Sequence, residues 1–132
     1  MASSDPGLYT RTLVSDALQE VVARVCSIPV VFRTEPDETV RSLFEKSCYE
    51  RFQKEVSVAA IQGYLATHQA LVEAWIRYSE EKRTSSGWYL EGLVVGYYEP
   101  GKGMVMRDRF PDPARACAEF IKKEMETLSR LD

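Results

Sequence analysis

The sequence predicts an α+β fold with about three N-terminal helices, a small antiparallel sheet of two or three strands near residues 88–110, and a C-terminal helix. Apolar residues recur at helical spacing before the turn-forming cluster 84–87, whereas aromatic and β-branched residues dominate after it. Helical spacing returns after Pro113. The 132 residues suffice for one domain with its own core. Because no linker or repeat divides them, we expect a single domain over 1–132.

The first helix is predicted from about Leu8 to Ser27, where apolar residues recur every three or four positions. Pro29 is expected to end it, because the residue before a proline is disfavoured in the helical conformation. We interpret the apolar run 28–32, which contains this proline, as a buried connector or a brief strand.

Two further helices are predicted before the sheet. The segment 34–37 combines a hydroxyl cap with a proline and acidic residues, which indicates a helix start, and the apolar stripe behind it continues to about Glu55. Ser57 is expected to cap the next helix, whose apolar face includes Trp75 and reaches Tyr78. The sequence leaves open whether these are separate helices or one bent helix.

The sheet is predicted from two β-rich runs, 88–91 and 93–99, and from a return strand over 104–110. Residues 100–103, with the sequence PGKG, form a strong turn signal between the last two strands. Gly96 is expected to mark a bulge or a close approach of the backbone. We therefore expect a hairpin that a further turn extends to three strands.

The last helix is predicted to begin at Pro113, with Asp112 as its cap. Its inner face is expected to carry apolar residues at helical spacing, namely Cys117, Phe120, Ile121, Met125 and Leu128.

Charge and hydropathy exclude several classes of protein. Seventeen Lys and Arg against twenty Asp and Glu give a net charge of -3, which disfavours a nucleic-acid binder because phosphates attract cationic surfaces. No apolar run has the length of a transmembrane helix, so no membrane association is expected. The first residues resemble no signal peptide, and we expect a cytoplasmic protein.

Groups suited to catalysis are scarce. Cys26, Cys48 and Cys117 are odd in number and widely spaced, so they predict neither a disulfide framework nor a metal site, and we interpret them as small apolar residues. His68 is the only histidine, and its spacing from Leu65 favours a core or interface position on an apolar stripe. We expect no enzyme, no metal and no cofactor.

The aromatic residues of the hairpin are the strongest functional signal. Strand alternation puts Tyr97 and Tyr98 on opposite faces, so that one enters the core and the other faces solvent or a partner. Acidic residues, including Glu91 and Glu99, interleave with the aromatic ones. Such a face could dock a basic protein surface, and ordinary packing of the sheet under helices is the alternative.

Residues 87–121 resemble small bacterial immunity proteins of polymorphic-toxin systems of the contact-dependent or type VI-like kind. The likeness rests on a GWYLE strand, a second strand that ends in YYEPG, and an RFPDP strand-to-helix junction followed by ACAEF. The chain has Pro100 where the pattern has an arginine before the glycine. The resemblance implies a non-enzymatic protein that binds one cognate toxin domain and blocks its active site.

We therefore predict an immunity-type inhibitor that presents acidic and aromatic side chains to a toxin. The alternative is a small adaptor or chaperone-like module, whose helical face around Trp75 and Tyr78 binds a partner helix or forms a homodimer. An enzyme that uses His68 or a cysteine has the least support. The candidate partner-binding residues are Glu80, Glu81, Tyr89, Glu91, Tyr98 and Glu99.

Overall fold

Six helices and a three-stranded antiparallel sheet make up the described part of the protein, which confirms the α+β class. The computed structural model describes residues 6–81 and 86–130, with side chains for 16–81 and 86–130. The helices are α1 (Pro6–Cys26), α2 (Ile28–Thr34), α3 (Val40–Ser47), α4 (Val58–Ala66), α5 (Ala70–Glu81) and α6 (Pro113–Arg130). The strands are β1 (Gly87–Glu91), β2 (Val94–Glu99) and β3 (Gly103–Arg109), and a 3₁₀ turn spans Tyr49–Phe52.

Helix α2 replaces the connector or strand that the sequence predicts for 28–32, and that prediction is wrong. Pro29 occupies the first turn of α2, where a missing N–H removes no helical hydrogen bond and the fixed φ suits the helix. The proline therefore begins one helix as well as ending another. Val30 and Phe32 of α2 are each 40% exposed.

Helix α3 begins later than predicted, because a better cap than the segment 34–37 is available. The Ser42 N–H donates to the Thr39 hydroxyl at 3.0 Å, and the Thr39 N–H donates to the Ser42 hydroxyl at 2.9 Å. This capping box satisfies two backbone donors that would otherwise lack partners. The Thr34 hydroxyl instead donates back to the carbonyls of Val30 and Val31 in α2.

The same helix ends earlier than the predicted Glu55. Cys48 adopts a left-handed conformation with φ of 65°, which closes α3 at Ser47, and the 3₁₀ turn follows directly. The apolar stripe predicted for one helix is thus shared between the α-helix α3 and the 3₁₀ turn that follows it.

The third predicted helix is divided into α4 and α5. The Ser57 hydroxyl accepts a hydrogen bond from the Ala60 N–H at 3.1 Å, which confirms Ser57 as the cap. Helix α4 ends at Ala66 and α5 begins at Ala70, so His68 lies in the break between them. The sequence also left open whether the second and third predicted helices are continuous; they are separate, because residues 53–57 between the 3₁₀ turn and α4 are not helical.

The sheet has the order β1-β2-β3 and the predicted hairpin connections. A Cβ atom at Gly96 would collide with the Met104 sulfur and the Met106 carbonyl, so the expected close approach is confirmed. Val105 is the extra residue of a bulge in β3, because Tyr97 lies opposite Met106 while the next residue of β2 lies opposite Met104.

Helix α6 begins as predicted. The Arg115 N–H donates to the Asp112 carboxylate at 2.9 Å, and Pro113 is the first helical residue. Four of the five predicted inner-face residues are fully buried, and the fifth, Leu128, is half-buried and packs against the core.

The core lies between the helices and one face of the sheet. Trp75 is fully buried, and its indole N–H donates to the Cys26 carbonyl at 2.8 Å, which joins α5 to the end of α1. The Leu90 N–H donates to the buried Ser79 hydroxyl at 2.7 Å, so α5 covers the outer edge of β1. This arrangement leaves β3 as the strand at the other edge of the sheet.

A second anchor joins the 3₁₀ turn and the residues after it to α6. The Lys122 ammonium donates to the Tyr49 hydroxyl at 2.6 Å and to the carbonyls of Gln53 and Val56 at 2.7 Å each. The Glu126 carboxylate accepts hydrogen bonds from the Tyr49 hydroxyl at 2.6 Å and the Gln53 amide at 2.8 Å. These residues hold the helical layer on which the sheet rests.

Candidate partner-binding surface

The register of the hairpin assigns its aromatic residues to two faces. Trp88 lies opposite Tyr97, and Leu90 lies opposite the buried Val95, so these four side chains share the face that packs on the helices. Tyr98 projects from the other face, as strand alternation requires. Tyr97 and Tyr98 therefore lie on opposite faces, as the sequence predicts.

Tyr89 and Tyr98 pack against each other. Their ring centroids are 6.0 Å apart with an interplanar angle of 63°. Tyr89 is only 8% exposed, and Tyr98 is a half-buried residue that contacts the hydrophobic core. Tyr89 thus offers little surface to a partner, and replacing either ring by a small side chain would remove packing.

The two acidic residues of the hairpin do not accompany these rings as one group. Glu91 is exposed at the end of β1, on the face of Tyr98. Glu99 is half-buried on the opposite face, and its carboxylate lies 3.4 Å from the Lys102 ammonium. The pleat of the strands therefore separates Glu99 from Glu91.

The remaining two predicted site residues lie at the end of α5. The Glu81 carboxylate accepts a hydrogen bond from Arg33 of α2 at 2.5 Å. Glu80 is exposed and lines an open groove between α2 and α5. The described contacts of this pair thus lie toward the helices, while Tyr89 and Tyr98 contact each other.

An open groove beside the hairpin brings one predicted site residue, Glu99, together with residues that the sequence left out of the predicted site. This hairpin groove has a volume of about 420 Å³. The Trp88 and Tyr97 rings in it meet edge to face, with centroids 5.1 Å apart. The groove is lined by Ser86, Gly87, Trp88, Tyr97, Glu99, Val105, Met106, Thr127 and Arg130.

Two apolar side chains at the rim of the hairpin groove are exposed. Val105 is 43% exposed and Met106 is 51% exposed. No local sequence signal identifies them, because the bulge at Val105 that brings both side chains to one groove depends on the register of β2 and β3. Exposed apolar surface of this kind beside aromatic rings is typical of protein-binding sites.

The charges around the hairpin groove are mixed. The groove is lined by the acidic Glu99 and by the basic Arg130. The Lys123 ammonium lies 4.5 Å from the centroid of the Trp88 ring. Such a cation stabilises the ring in place without closing the groove. The groove therefore combines an apolar centre with both signs of charge at its rim.

No cysteine lines the hairpin groove, and the Cys48 thiol at the end of α3 is half-buried. Cys26 and Cys117 are fully buried, and burial raises the pKa of the Cys26 thiol to about 12. Burial also raises the pKa of Cys117, with a smaller contribution from the neighbouring Cys26. Both thiols remain protonated at neutral pH and pack as small apolar groups.

His68 does not lie in the core, so that part of the prediction is wrong, whereas an interface position stays a prediction. The residue is exposed between α4 and α5, and its ring stacks on Tyr64 with centroids 3.9 Å apart. Its Nδ1 atom is 2.9 Å from the Tyr64 carbonyl, a contact in which the ring nitrogen donates. The break in the helix moves His68 off the stripe although Leu65 and Val72 on either side are buried.

The helical face around Trp75 and Tyr78 is not a free surface, so this part of the alternative prediction is wrong. Trp75 is fully buried and contacts the edges of the Tyr78 and Phe120 rings. The Tyr78 hydroxyl donates to Glu124 at 3.0 Å, and burial together with this carboxylate raises the pKa of Tyr78 above its usual value. Both aromatic residues belong to the core.

Comparison of the chain with protein-family models, with curated proteins and with solved structures found no match. Among residues 6–81 and 86–130, no helix combines the length and the apolar character needed to cross a membrane. Among the side chains that the structure describes, those of 16–81 and 86–130, no three His, Cys, Asp or Glu residues form a cluster suited to a metal ion.

Proposed function

We propose that the protein is an immunity-type inhibitor, a non-catalytic module that binds a cognate toxin domain and covers its active site. The observation that carries the binding role is the hairpin groove with its exposed apolar rim, Val105 and Met106. The toxin as partner rests on the resemblance of residues 87–121 to immunity proteins of polymorphic-toxin systems.

The scaffold under the groove suits an inhibitor. The Trp88 and Tyr97 rings are fixed by their mutual contact, and the sheet beneath them is anchored to α5 and α6. A surface that is ordered before binding loses little conformational entropy when the complex forms. Rigid aromatic residues with an exposed apolar rim can therefore act as the centre of a tight interface.

The chemistry of the described side chains also favours binding over catalysis. The two buried thiols have raised pKa values, as Cys26 illustrates with a pKa of about 12, and a thiol nucleophile needs the opposite shift. His68 has its Nδ1 atom engaged by the Tyr64 carbonyl.

The proposal predicts that a toxin domain is encoded beside the gene, and the test is co-expression with that domain, scored by copurification and by survival of the cells. Met106→Asp places a charge in the apolar rim and should weaken copurification by about tenfold or more. Phe32→Asp is the matched control, because this side chain of α2 is similarly exposed but lies outside the hairpin groove. Absence of both complex and rescue with the unchanged protein would refute the toxin-binding role.

A second candidate is an adaptor or homodimer, and the exposed apolar residues of α2 favour it. Val30 and Phe32 are each 40% exposed, and Val30 lines the open groove between α2 and α5. In that case the unchanged protein would sediment as a dimer or copurify with a partner. Phe32→Asp would abolish this association, whereas Met106→Asp would leave it intact. The two variants thus separate the two candidates.

A further inference from the structure

The outer edge of β3 carries backbone groups that no other described strand pairs with. The Phe110 N–H donates to the Leu93 carbonyl at 2.8 Å, which fixes the direction of the backbone groups at the end of β3. Because alternate residues of a strand direct these groups to opposite sides, the N–H and C=O of Arg107 and Arg109 point away from β2. An incoming strand could form hydrogen bonds with both residues.

The side chains of the same two residues give this edge a defined charge. Arg107 lies opposite Gly96 and Arg109 lies opposite Val94, so the two guanidinium groups project from one face of the sheet. Both residues are exposed, and neither forms an ion pair within residues 16–81 and 86–130. Asp108 between them projects from the other face.

We infer that the β3 edge binds an extended segment of the partner protein that carries acidic residues at alternate positions. The backbone of the segment pairs with Arg107 and Arg109, and its carboxylates lie beside their guanidinium groups. The inference rests on the proposed binding role, but it does not require that the partner be a toxin.

The charges serve selection as well as attraction. Charged side chains and a bulge protect edge strands from unwanted pairing, and β3 has both, with the bulge at Val105. Arginines at alternate positions repel a strand with basic side chains, and an apolar strand offers their guanidinium groups no ion pair. A strand with acidic side chains forms ion pairs with both. Protection alone would not require the exposed Val105 and Met106, which continue the edge with apolar surface.

The test measures binding of a labelled synthetic peptide of alternating glutamate and valine to the full chain by fluorescence anisotropy. Arg107→Glu with Arg109→Glu should lower its affinity about tenfold or more, because two attractive cross-strand pairs become repulsive. Asp108→Asn is the matched control, since this residue lies on the other face, and it should change the affinity by less than about twofold. Circular dichroism establishes that each variant is folded.

A second peptide distinguishes strand pairing from attraction between charges alone. The same peptide with its glutamates N-methylated retains its charge but lacks the N–H groups that would face β3, and we expect its binding to be lost. Equal affinity for both peptides, or an unchanged affinity in the double variant, would overturn the inference. So would a homodimer in which β3 edges pair with each other.

The outcomes for the two proposals are separable. The edge is refuted as a docking site, and the proposed function stands, if the peptide does not bind and the double variant Arg107→Glu with Arg109→Glu forms the toxin complex as the unchanged protein does. Peptide binding that depends on the two arginines, together with no toxin complex, supports the edge and refutes the toxin as partner.

Discussion

Replacing Lys122 by methionine tests whether the anchor between the 3₁₀ turn and α6 stabilises the fold. The substitution keeps an unbranched stem of similar length and removes the ammonium group, so the Tyr49 hydroxyl and the carbonyls of Gln53 and Val56 lose a donor at 2.6–2.7 Å. A hydrogen bond that involves a charged group contributes about 1.5–3 kcal/mol to stability, net of the hydrogen bonds with water that it replaces.

The net loss is smaller than the sum of three such bonds. Burial lowers the pKa of Lys122, although the Glu126 carboxylate acts in the opposite direction, so the ammonium loses hydration on folding. Lys122 is also only half-buried, and water can replace part of what is lost. We therefore expect Lys122→Met to lower the free energy of unfolding by about 2–3 kcal/mol.

The assay is urea-induced unfolding followed by circular dichroism and tryptophan fluorescence. Lys46→Met is the control, because it removes an exposed ion pair with Glu38, and we expect it to cost less than about 1 kcal/mol. Equal effects of the two substitutions would show that the Lys122 anchor contributes no more than an ordinary surface charge.

Four further substitutions test the sheet, the helices and the carboxylate of the Lys122 anchor. Gly96→Ala should lower the free energy of unfolding by about 2 kcal/mol or more, because the new Cβ meets Met104 and the Met106 backbone. Its control is Gly63→Ala, which has open space around it and should be neutral or stabilising by up to about 1 kcal/mol. Urea titrations measure both effects. Thr39→Ala should cost about 1 kcal/mol by removing the capping box of α3, and a loss below the error of calorimetry would refute that role. Burial raises the pKa of Glu126, but hydrogen bonds from Tyr49 and Gln53 and the charges of Lys122 and Arg130 outweigh this, so its pKa lies below the usual value. The stability that this carboxylate contributes is thus fully present above its pKa in the unfolded chain, and it is lost as the pH falls through its pKa in the folded protein. Glu126→Gln should therefore flatten the rise of the free energy of unfolding from acid to neutral pH, and an unchanged pH profile would contradict this.

The sheet and the last helix could be predicted from the sequence because local signals decide them. The turn 100–103 separates β2 from β3, and Asp112 with Pro113 marks the start of α6 irrespective of what surrounds it. Strand alternation likewise sufficed to place Tyr97 and Tyr98 on opposite faces.

The errors in the helical part have a shared physical origin. Pro29 is compatible with both the end of one helix and the first turn of another, and only the packing of α2 decides between them. The break around His68 is hidden because Leu65 and Val72 are buried on both sides of it. Periodicity reports which residues are buried and does not report whether the backbone between them is continuous.

The candidate site was predicted only in part. The sequence identifies the aromatic hairpin, but it does not show that the rings of Tyr89 and Tyr98 pack together while Trp88 and Tyr97 border an open groove. The exposure of Met106 depends on the bulge before it, and the bulge depends on the register of two strands. These features arise from tertiary packing.

Hydrogen–deuterium exchange in the presence of the toxin domain tests the central claim, that the hairpin is the binding surface, most directly. In the free protein the outward N–H groups of Arg107 and Arg109 should exchange rapidly, because no described strand pairs with them. Binding should slow the exchange over β3 and around Trp88 while leaving α2 unchanged. Slowed exchange confined to α2, or an unchanged β3 in a stable complex, would contradict the account.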